Sequence, residues 1–272
     1  MLAYCEQYNI KVQEEIKNNP SNEDTSISTE QLYYDGKTAI LDAYKRTFYD
    51  STSFKVNSNG LFDLSALGVY AKIEIDFAID QFSKEKVYEE VKTYVLDSNV
   101  NKSILSVANS SCKRLRIDKK DKFYVTKNVS YKNSKITPNY SGVTAQESVD
   151  EERFFNESLY IINEETLEKI TYFKVNKKNG QVKNYYVQAV LNPTSSTVEY
   201  SKCLQQQIKC SPPTFKSVTL TFIIDANGYV TSFNATDTLN IVLLMFNADA
   251  KTSINYVVSN INEQLEENYT GF

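Results

Sequence analysis

The residues best able to do acid–base chemistry in this chain are carboxylates, because none of its 272 residues is histidine. Glu74 and Asp76 stand two residues apart in an alternating segment, which places them on one face of a strand, roughly 7 Å apart. A second acidic group is Asp150-Glu151-Glu152. Two carboxylates converging in a cleft, one of them desolvated, could hydrolyse a glycoside. Acids beside lysines are also ordinary on a solvated strand face, and we expect that simpler arrangement here.

The composition excludes several classes of function. Without histidine the chain lacks the base of the usual serine and cysteine hydrolases and the commonest metal ligand. Its 7 glycines form no phosphate-binding loop. The net charge of −4 is spread over interspersed charges of both signs, which disfavours a nucleic-acid partner. We therefore expect a protein that is not an enzyme, with no cofactor and no metal.

The four cysteines bear on the compartment. They form no CxxC pair, so a zinc site would need all four thiolates from distant segments. Cys203 and Cys210 flank a polar connection that a disulfide could close. If this bridge forms, the protein is extracytoplasmic, because disulfides persist in oxidising compartments. If the thiols are free, that argument is lost.

The N-terminal residues Met1 to Cys5 resemble the end of a lipoprotein signal, although Tyr4 is large for its position and no apolar segment precedes it. The chain is either trimmed there or the likeness is incidental. No apolar run reaches the ~18 residues of a membrane span, so we expect no transmembrane segment.

The clearest structural pattern runs from residue 216 to 260. Two alternating segments meet at Asn227-Gly228, which favours a two-residue type I′ turn. With two further apolar segments, Leu239–Phe246 and Ser253–Ser259, this region predicts a four-stranded antiparallel meander. The turn implies the cross-strand pairs Phe222 with Phe233, Leu220 with Ala235, and Ile224 with Thr231.

Earlier segments predict the remaining elements. A capping box at Ser28 opens an amphipathic helix that carries Ile40, Tyr44 and Phe48. Residues 53–64 read as one bent strand or a hairpin, residues 69–80 as a half-buried strand, and residues 83–96 as a second helix. The domain organisation we expect is an N-terminal segment or linker over 1–27, a single α+β domain over 28–262, and a frayed tail over 263–272.

Two further segments carry side chains of functional interest. Six basic residues predict either an edge strand protected by lysines or an anion- or membrane-binding patch; they are Lys113, Arg114, Arg116, Lys119, Lys120 and Lys122. Asn179-Gly180 closes a hairpin over 167–192 that is apolar on both faces. Its turn implies the pairs Phe173 with Tyr186, Tyr172 with Val187, and Ile170 with Ala189. Such a hairpin is either packed between two layers or lines a cavity.

This order of elements, with Asp225-Ala226-Asn227-Gly228-Tyr229 at the first tight turn of the meander, resembles the LolA and LppX kind of extracytoplasmic lipoprotein-type carriers and uncharacterised Gram-positive surface lipoproteins. The resemblance implies a bacterial protein with a strongly curved antiparallel β-sheet. This open half-barrel would have an N-terminal amphipathic helix and one further helix on its concave face. It carries over no functional residue.

Two functions follow as expectations. The first is a non-enzymatic, lipoprotein-like extracytoplasmic protein, secreted or membrane-anchored, that binds an apolar or lipid-like ligand between sheet and helices. The candidate ligand-binding residues are Ile40, Tyr44, Ile75, Phe77, Tyr172, Phe222 and Phe233; the alternative is that they form a dry core. The second is a surface protein with a macromolecular partner, such as another protein, and no small-molecule ligand.

Overall fold

A computed structural model describes residues 29–100, 108–118, 120–148, 159–179, 181–208, 210–243, 246–267 and 269. The side chains of residues 29–34, 203, 206–208, 243 and 246 lie outside that description. Eleven strands form one antiparallel sheet, and its linear strand order leaves it open rather than closed into a barrel. The predicted α+β fold, a curved antiparallel sheet with an N-terminal helix, is confirmed.

The described elements are two helices, a π-helical turn and thirteen strands. The helices are α1 (Thr29–Tyr44), continued by a π-helical turn (Lys45–Asp50), and α2 (Val198–Ile208). The strands are β1 (Phe54–Ala66), β2 (Val69–Gln81), β3 (Lys86–Ser98), β4 (Ser110–Ile117), β5 (Lys120–Thr126), β6 (Val129–Lys132), β7 (Lys135–Pro138), β8 (Gln146–Ser148), β9 (Leu167–Lys178), β10 (Gln181–Leu191), β11 (Thr214–Asp225), β12 (Val230–Leu243) and β13 (Phe246–Ser259). The large sheet has the order β8-β5-β4-β3-β2-β1-β13-β12-β11-β10-β9, while β6 and β7 form a separate ribbon.

The predicted helix over 83–96 is wrong, because that segment forms β3. Both faces of β3 are covered. Val87 and Val91 face the core, while Tyr94 on the other face stacks on Tyr131 of the β6–β7 ribbon with ring centroids 5.3 Å apart. Two apolar faces remove the alternation that identifies a strand. The further helix of this fold is α2, whose Tyr200 and Leu204 join the core.

The C-terminal meander has three strands instead of the predicted four, because the second and third predicted strands are one long strand, β12. Phe222 pairs with Phe233 and Leu220 with Ala235, as predicted. Ile224 pairs with Val230 instead of Thr231, since a register shift lies beside it. The turn spans 226–229 and closes with a hydrogen bond from Asp225 N to Tyr229 O of 2.8 Å, so it is longer than a two-residue turn.

Register shifts in the hairpin of β9 and β10 change which side chains face each other. Ile170 pairs with Ala189 as predicted, but Phe173 pairs with Val187 and Tyr172 with Gln188. A register shift between Val182 and Asn184 moves these two pairs by one residue, and a second shift between Gln188 and Ala189 restores the predicted pair of Ile170. Residues 53–64 belong to a single strand rather than a hairpin, which is one of the two predicted alternatives.

The edge strand predicted for the basic cluster is also wrong. β4 lies inside the sheet between β3 and β5. Arg114 is 7% exposed and Asp121 only 2%. Asp121 accepts a hydrogen bond of 2.7 Å from Arg116 Nε, and its Oδ2 lies 3.4 Å from Arg114 Nη1. These two arginines therefore neutralise an internal carboxylate instead of presenting charge to a partner.

The backbone of α1 approaches side chains of the sheet closely, and this contact positions the helix. A Cβ atom at Gly36 would lie 2.7 Å from Ile170 Cγ2 and 3.4 Å from Val187 Cγ1, so only glycine lets the helix settle on β9 and β10. At the far end of this element, Val230 N donates a 2.8 Å hydrogen bond to the Thr47 hydroxyl, and Phe48 packs edge-on against Phe54. The helix is thereby held at both ends.

Two described residues of the segment predicted to be a frayed tail, Glu267 and Tyr269, contact the sheet and its β2–β3 connection. The Tyr269 ring stacks on Tyr88 and meets Phe82 edge-on, with centroids 5.9 and 5.5 Å away. Lys86 Nζ lies 2.6 Å from Glu267 Oε1. In the described part of the chain, no helix is both long and apolar enough to cross a membrane.

Candidate functional site

Most of the predicted ligand-binding residues lie together in the core. Ile40 and Phe222 are fully buried, and Tyr44, Phe77 and Phe233 nearly so. Three rings stack across neighbouring strands: Phe233 lies 5.3 Å from Phe222 and 4.0 Å from Tyr256. Phe77 meets Tyr256 edge-on at 5.3 Å. Ile75 is partly buried against the same cluster. Their role in binding a ligand stays a prediction.

Tyr172 does not join this group. It pairs with Gln188, which in turn pairs with Thr221, and directly opposed residues share a face of a sheet. That row lies on the face opposite Phe222. Phe173 takes the inward position instead and packs against the core. The physical reason for this exchange is an extra residue in β9, Thr171, between the partners of Gln188 and Ala189.

A cleft of about 490 Å³ opens between α1 and the strands β9 to β11. That volume is within the range of small-molecule sites, roughly 300–1,000 Å³. Its lining residues are Asp35, Thr38, Ala39, Asp42, Ala43, Arg46, Phe173, Tyr185, Ile224, Ala226, Asn227 and Gly228. The small side chains on α1 leave the space, and the doubly apolar hairpin supplies the opposite wall.

The floor of this cleft is apolar. The Phe173 and Tyr185 rings stack with centroids 6.3 Å apart and planes at 16°, and both rings are half-buried. Ile224 is 2% exposed beneath them. Ala39 and Ala43 come from the helix above. An aliphatic chain or a ring laid here would contact carbon atoms on two sides.

The rim of the cleft is polar and carries both signs of charge. Asp35 and Asp42 lie on the helix side. Arg46 Nη1 donates a 2.7 Å hydrogen bond to the Asn227 carbonyl, and the guanidinium lies 5.8 Å from the centre of the Tyr229 ring. The turn after β11 therefore holds the arginine at one end of the cleft. An apolar floor beneath a mixed-charge rim suits an amphiphile with a neutral or zwitterionic polar group.

The carboxylates considered for catalysis lie elsewhere, on the outer face of β2. Glu74 is 3% exposed and accepts a 2.9 Å hydrogen bond from the Tyr131 hydroxyl. Burial raises the pKa of Glu74, and burial together with the Glu74 charge raises the pKa of Asp76 to about 6. The face is thus covered by the β6–β7 ribbon, whereas the sequence predicted a solvated one. Asp150, Glu151 and Glu152 lie outside the described residues.

The core contains one more carboxyl group that the sequence did not single out. Asp237 is 1% exposed, and its Oδ2 accepts hydrogen bonds from the Tyr160 hydroxyl, at 2.5 Å, and from the Thr252 hydroxyl. Its Oδ1 has no hydrogen-bond partner among the described residues. Burial raises the pKa of Asp237 to about 6. This group connects the 159–162 segment to the sheet.

The predicted Cys203–Cys210 disulfide is not formed in this structure, in which Cys210 is a free, buried thiol. The connection that should have carried it is largely α2 rather than a polar loop. The side chain of Cys203 lies outside the described residues. Cys112 is also free and buried, and burial raises the pKa of its thiol to about 12. No group of potential metal ligands occurs among the described residues.

No family model and no curated protein matches the sequence. Among solved structures, a DUF1329 family protein from Desulfovibrio piger matches 88% of this chain and 96% of its own, with 7% identity and a TM-score of 0.27. An outer membrane lipoprotein-sorting protein domain from Vibrio parahaemolyticus matches 86% and 93%, with 9% identity and a TM-score of 0.23. A structure of lipovitellin that concerns its lipid–protein interactions matches 81% of this chain and 26% of the lipovitellin chain, with 7% identity and a TM-score of 0.32. Likenesses this distant assign neither a family nor a ligand.

Proposed function

We propose that this protein is a non-enzymatic, extracytoplasmic binding protein that takes an apolar or lipid-like molecule in the cleft between α1 and β9–β11. The observation that carries the proposal is the apolar floor of a cleft of about 490 Å³, formed by stacked Phe173 and Tyr185 over Ile224. Apolar walls with a few polar groups at the edge are the usual make-up of small-molecule sites.

The contrast with the core supports the choice of this cleft. The aromatic ladder of Phe222, Phe233 and Tyr256 is closely packed, with centroids 5.3 and 4.0 Å apart. Native interiors with such packing leave no room for a ligand. The cleft beside α1 is open to solvent and has helix residues with small side chains over it, so a ligand can enter without unfolding the sheet.

The polar rim sets the expected ligand class. Arg46 faces the cleft with its side chain fixed by the Asn227 carbonyl, and Asp35 and Asp42 offset its charge. A purely anionic head group would meet two carboxylates, and a purely cationic one would meet the guanidinium. We therefore infer that neutral or zwitterionic amphiphiles bind more tightly than fatty acids or alkylamines of the same chain length.

A cleft-filling substitution tests the proposal. The protein is titrated into a fluorescent acyl-chain probe with a zwitterionic head, and binding is followed by anisotropy. We expect saturable binding at a ratio of one to one, lost in Ala39→Trp, whose indole occupies the cleft. Val257→Trp places the same ring on an exposed strand position, 42% exposed, and should bind as the wild type does. Equal binding by all three proteins would refute the site, and no binding by the wild type would refute the function.

A further inference from the structure

The hairpin between β1 and β2 has an unusual tip. Ala66 pairs with Val69, so the turn is Leu67-Gly68, and both turn residues have positive φ, 48° and 80°. Asn, Asp and Gly are the residues that suit such a turn. Leu67 is 96% exposed and takes a left-handed conformation that costs a side chain of this kind roughly 1 kcal/mol. At this exposure the leucine side chain buries almost no area against the described residues.

The tip also projects away from the described fold. A Cβ atom at Gly68 would meet no heavy atom within 4 Å. Val69 and Tyr70 beside it are 44% and 43% exposed. Val242, 40% exposed, lies at the same end of the sheet, because β12 reaches this end two strands away from β1. One end of the sheet therefore carries several large apolar side chains in water.

The charged groups at the base of the tip balance one another. Lys72 lies 3.9 Å from Asp63 across the β1–β2 pair, and Lys216 lies 2.8 Å from Asp249. The Tyr70 hydroxyl donates a 3.1 Å hydrogen bond to Asp97. Lys251 lies opposite Asp63 on β13, so the described residues at this base carry three lysines and three aspartates and have no excess of one sign. The order from the tip inward is leucine, then valine and tyrosine, then paired charges.

We propose that this tip, Leu67 with Val69 and Tyr70, inserts into the interface of a lipid bilayer. A bilayer accepts a convex apolar projection of any shape, whereas a protein partner needs a matching pocket. Tyrosine is enriched at the level of the head groups, where Tyr70 would lie when Leu67 reaches the acyl chains. The balanced charges at the base indicate that a bilayer of zwitterionic lipid is sufficient for insertion and that anionic lipid is not required. The inference does not depend on the cleft beside α1 or on any ligand in it.

The absence of tryptophan from the sequence makes a clean test possible. Leu67→Trp introduces a single fluorophore at the tip, and Val257→Trp introduces one at an exposed strand position away from it. With phosphatidylcholine vesicles we expect the emission of L67W to shift to shorter wavelengths and to be quenched by lipids brominated on the acyl chain. The emission of V257W should stay unchanged. An unshifted L67W signal at saturating lipid would overturn the proposal.

A second variant separates insertion from other forms of binding. Leu67→Asn suits the left-handed turn, so the protein should fold as before, which thermal unfolding checks. We expect its co-flotation with phosphatidylcholine vesicles to fall about tenfold, in line with the loss of one buried leucine. Binding that needs anionic lipid, disappears in salt and is unchanged in L67N would overturn the proposal. So would a wild-type dimer in gel filtration that L67N converts to a monomer.

Discussion

Asp237 allows a quantitative prediction, because it is a carboxyl group enclosed by the core. Its pKa in the folded protein is raised to about 6 from 3.8, mainly by burial. The folded state therefore binds a proton more tightly than the unfolded state does, and the free energy of unfolding falls as the pH rises from about 4 to about 6. A pKa difference of about 2 between the folded and unfolded states corresponds to a loss of about 3 kcal/mol in the free energy of unfolding over that pH range. Above about pH 6 this group causes no further loss.

Asp237→Asn removes this pH-dependent loss of stability while keeping the shape of the side chain. The amide oxygen can still accept the hydrogen bonds of Tyr160 and Thr252, as Oδ2 does. We expect the variant and the wild type to be about equally stable at pH 4. At pH 7.5 the variant should be more stable by up to about 3 kcal/mol, because it has no charge to bury.

Urea unfolding followed by far-UV circular dichroism at the two pH values measures this difference. The comparison of the two proteins isolates Asp237 from Asp76, whose pKa is also raised to about 6 and which both proteins retain. A stability difference between variant and wild type that is the same at both pH values would refute the argument. So would a variant that is less stable than the wild type at pH 7.5, because the carboxylate would then stabilise the fold.

Three further predictions concern other parts of the fold. Gly36→Ala should lower the free energy of unfolding by about 1–3 kcal/mol in urea titrations, because the new methyl group would overlap Ile170, whereas a gain in stability would contradict close docking of α1. Tyr269→Ala should lower the free energy of unfolding by about 1 kcal/mol, because the ring contacts of Tyr269 are lost. Glu267→Gln should lower it by less, because the ion pair of Glu267 with Lys86 is exposed. The reverse order, measured in the same way, would show that the tail is held by charge. Cys112 should resist iodoacetamide at pH 8 in the folded protein and react only after unfolding, because burial keeps its thiol protonated. Peptide mass spectrometry measures the labelling. Labelling of the native protein at the rate of a free thiol would contradict this prediction.

The parts of the fold that the sequence predicts correctly are those where one local signal decides. Strand β2 alternates cleanly, and the alternation on either side of Asn227-Gly228 identifies β11 and β12 as paired neighbours. The start of α1 near residue 28 follows from its amphipathic pattern. In each case the information lies within a dozen neighbouring residues, so tertiary contacts are not needed to find it.

The errors arise where distant elements decide the outcome. β3 was predicted as a helix because the β6–β7 ribbon, some forty residues later, covers its outer face with Tyr131. The bulge that moves Tyr172 out of the core and Phe173 into it leaves no mark on the apolar pattern of the hairpin. The prediction for the basic cluster fails because Asp121, which neutralises Arg114 and Arg116, is buried on the neighbouring strand, and nothing in the local pattern shows that burial.

The candidate site could be predicted only in part. The apolar hairpin over 167–192 was singled out, and it does form one wall of the cleft. The opposite wall comes from α1, where Ala39 and Ala43 leave space, and the rim comes from Arg46 held by Asn227, 181 residues further along the chain. Small side chains on a helix and a hydrogen bond over such a separation give no signal in a single sequence.

Native mass spectrometry of the protein with a short-chain zwitterionic lipid is the most direct test of the central claim, that the cleft beside α1 holds an apolar ligand. We expect one bound lipid per chain for the wild type and for Val257→Trp, and none for Ala39→Trp at the same lipid concentration. Lipid bound equally by Ala39→Trp, or no defined stoichiometry in the wild type, would contradict it.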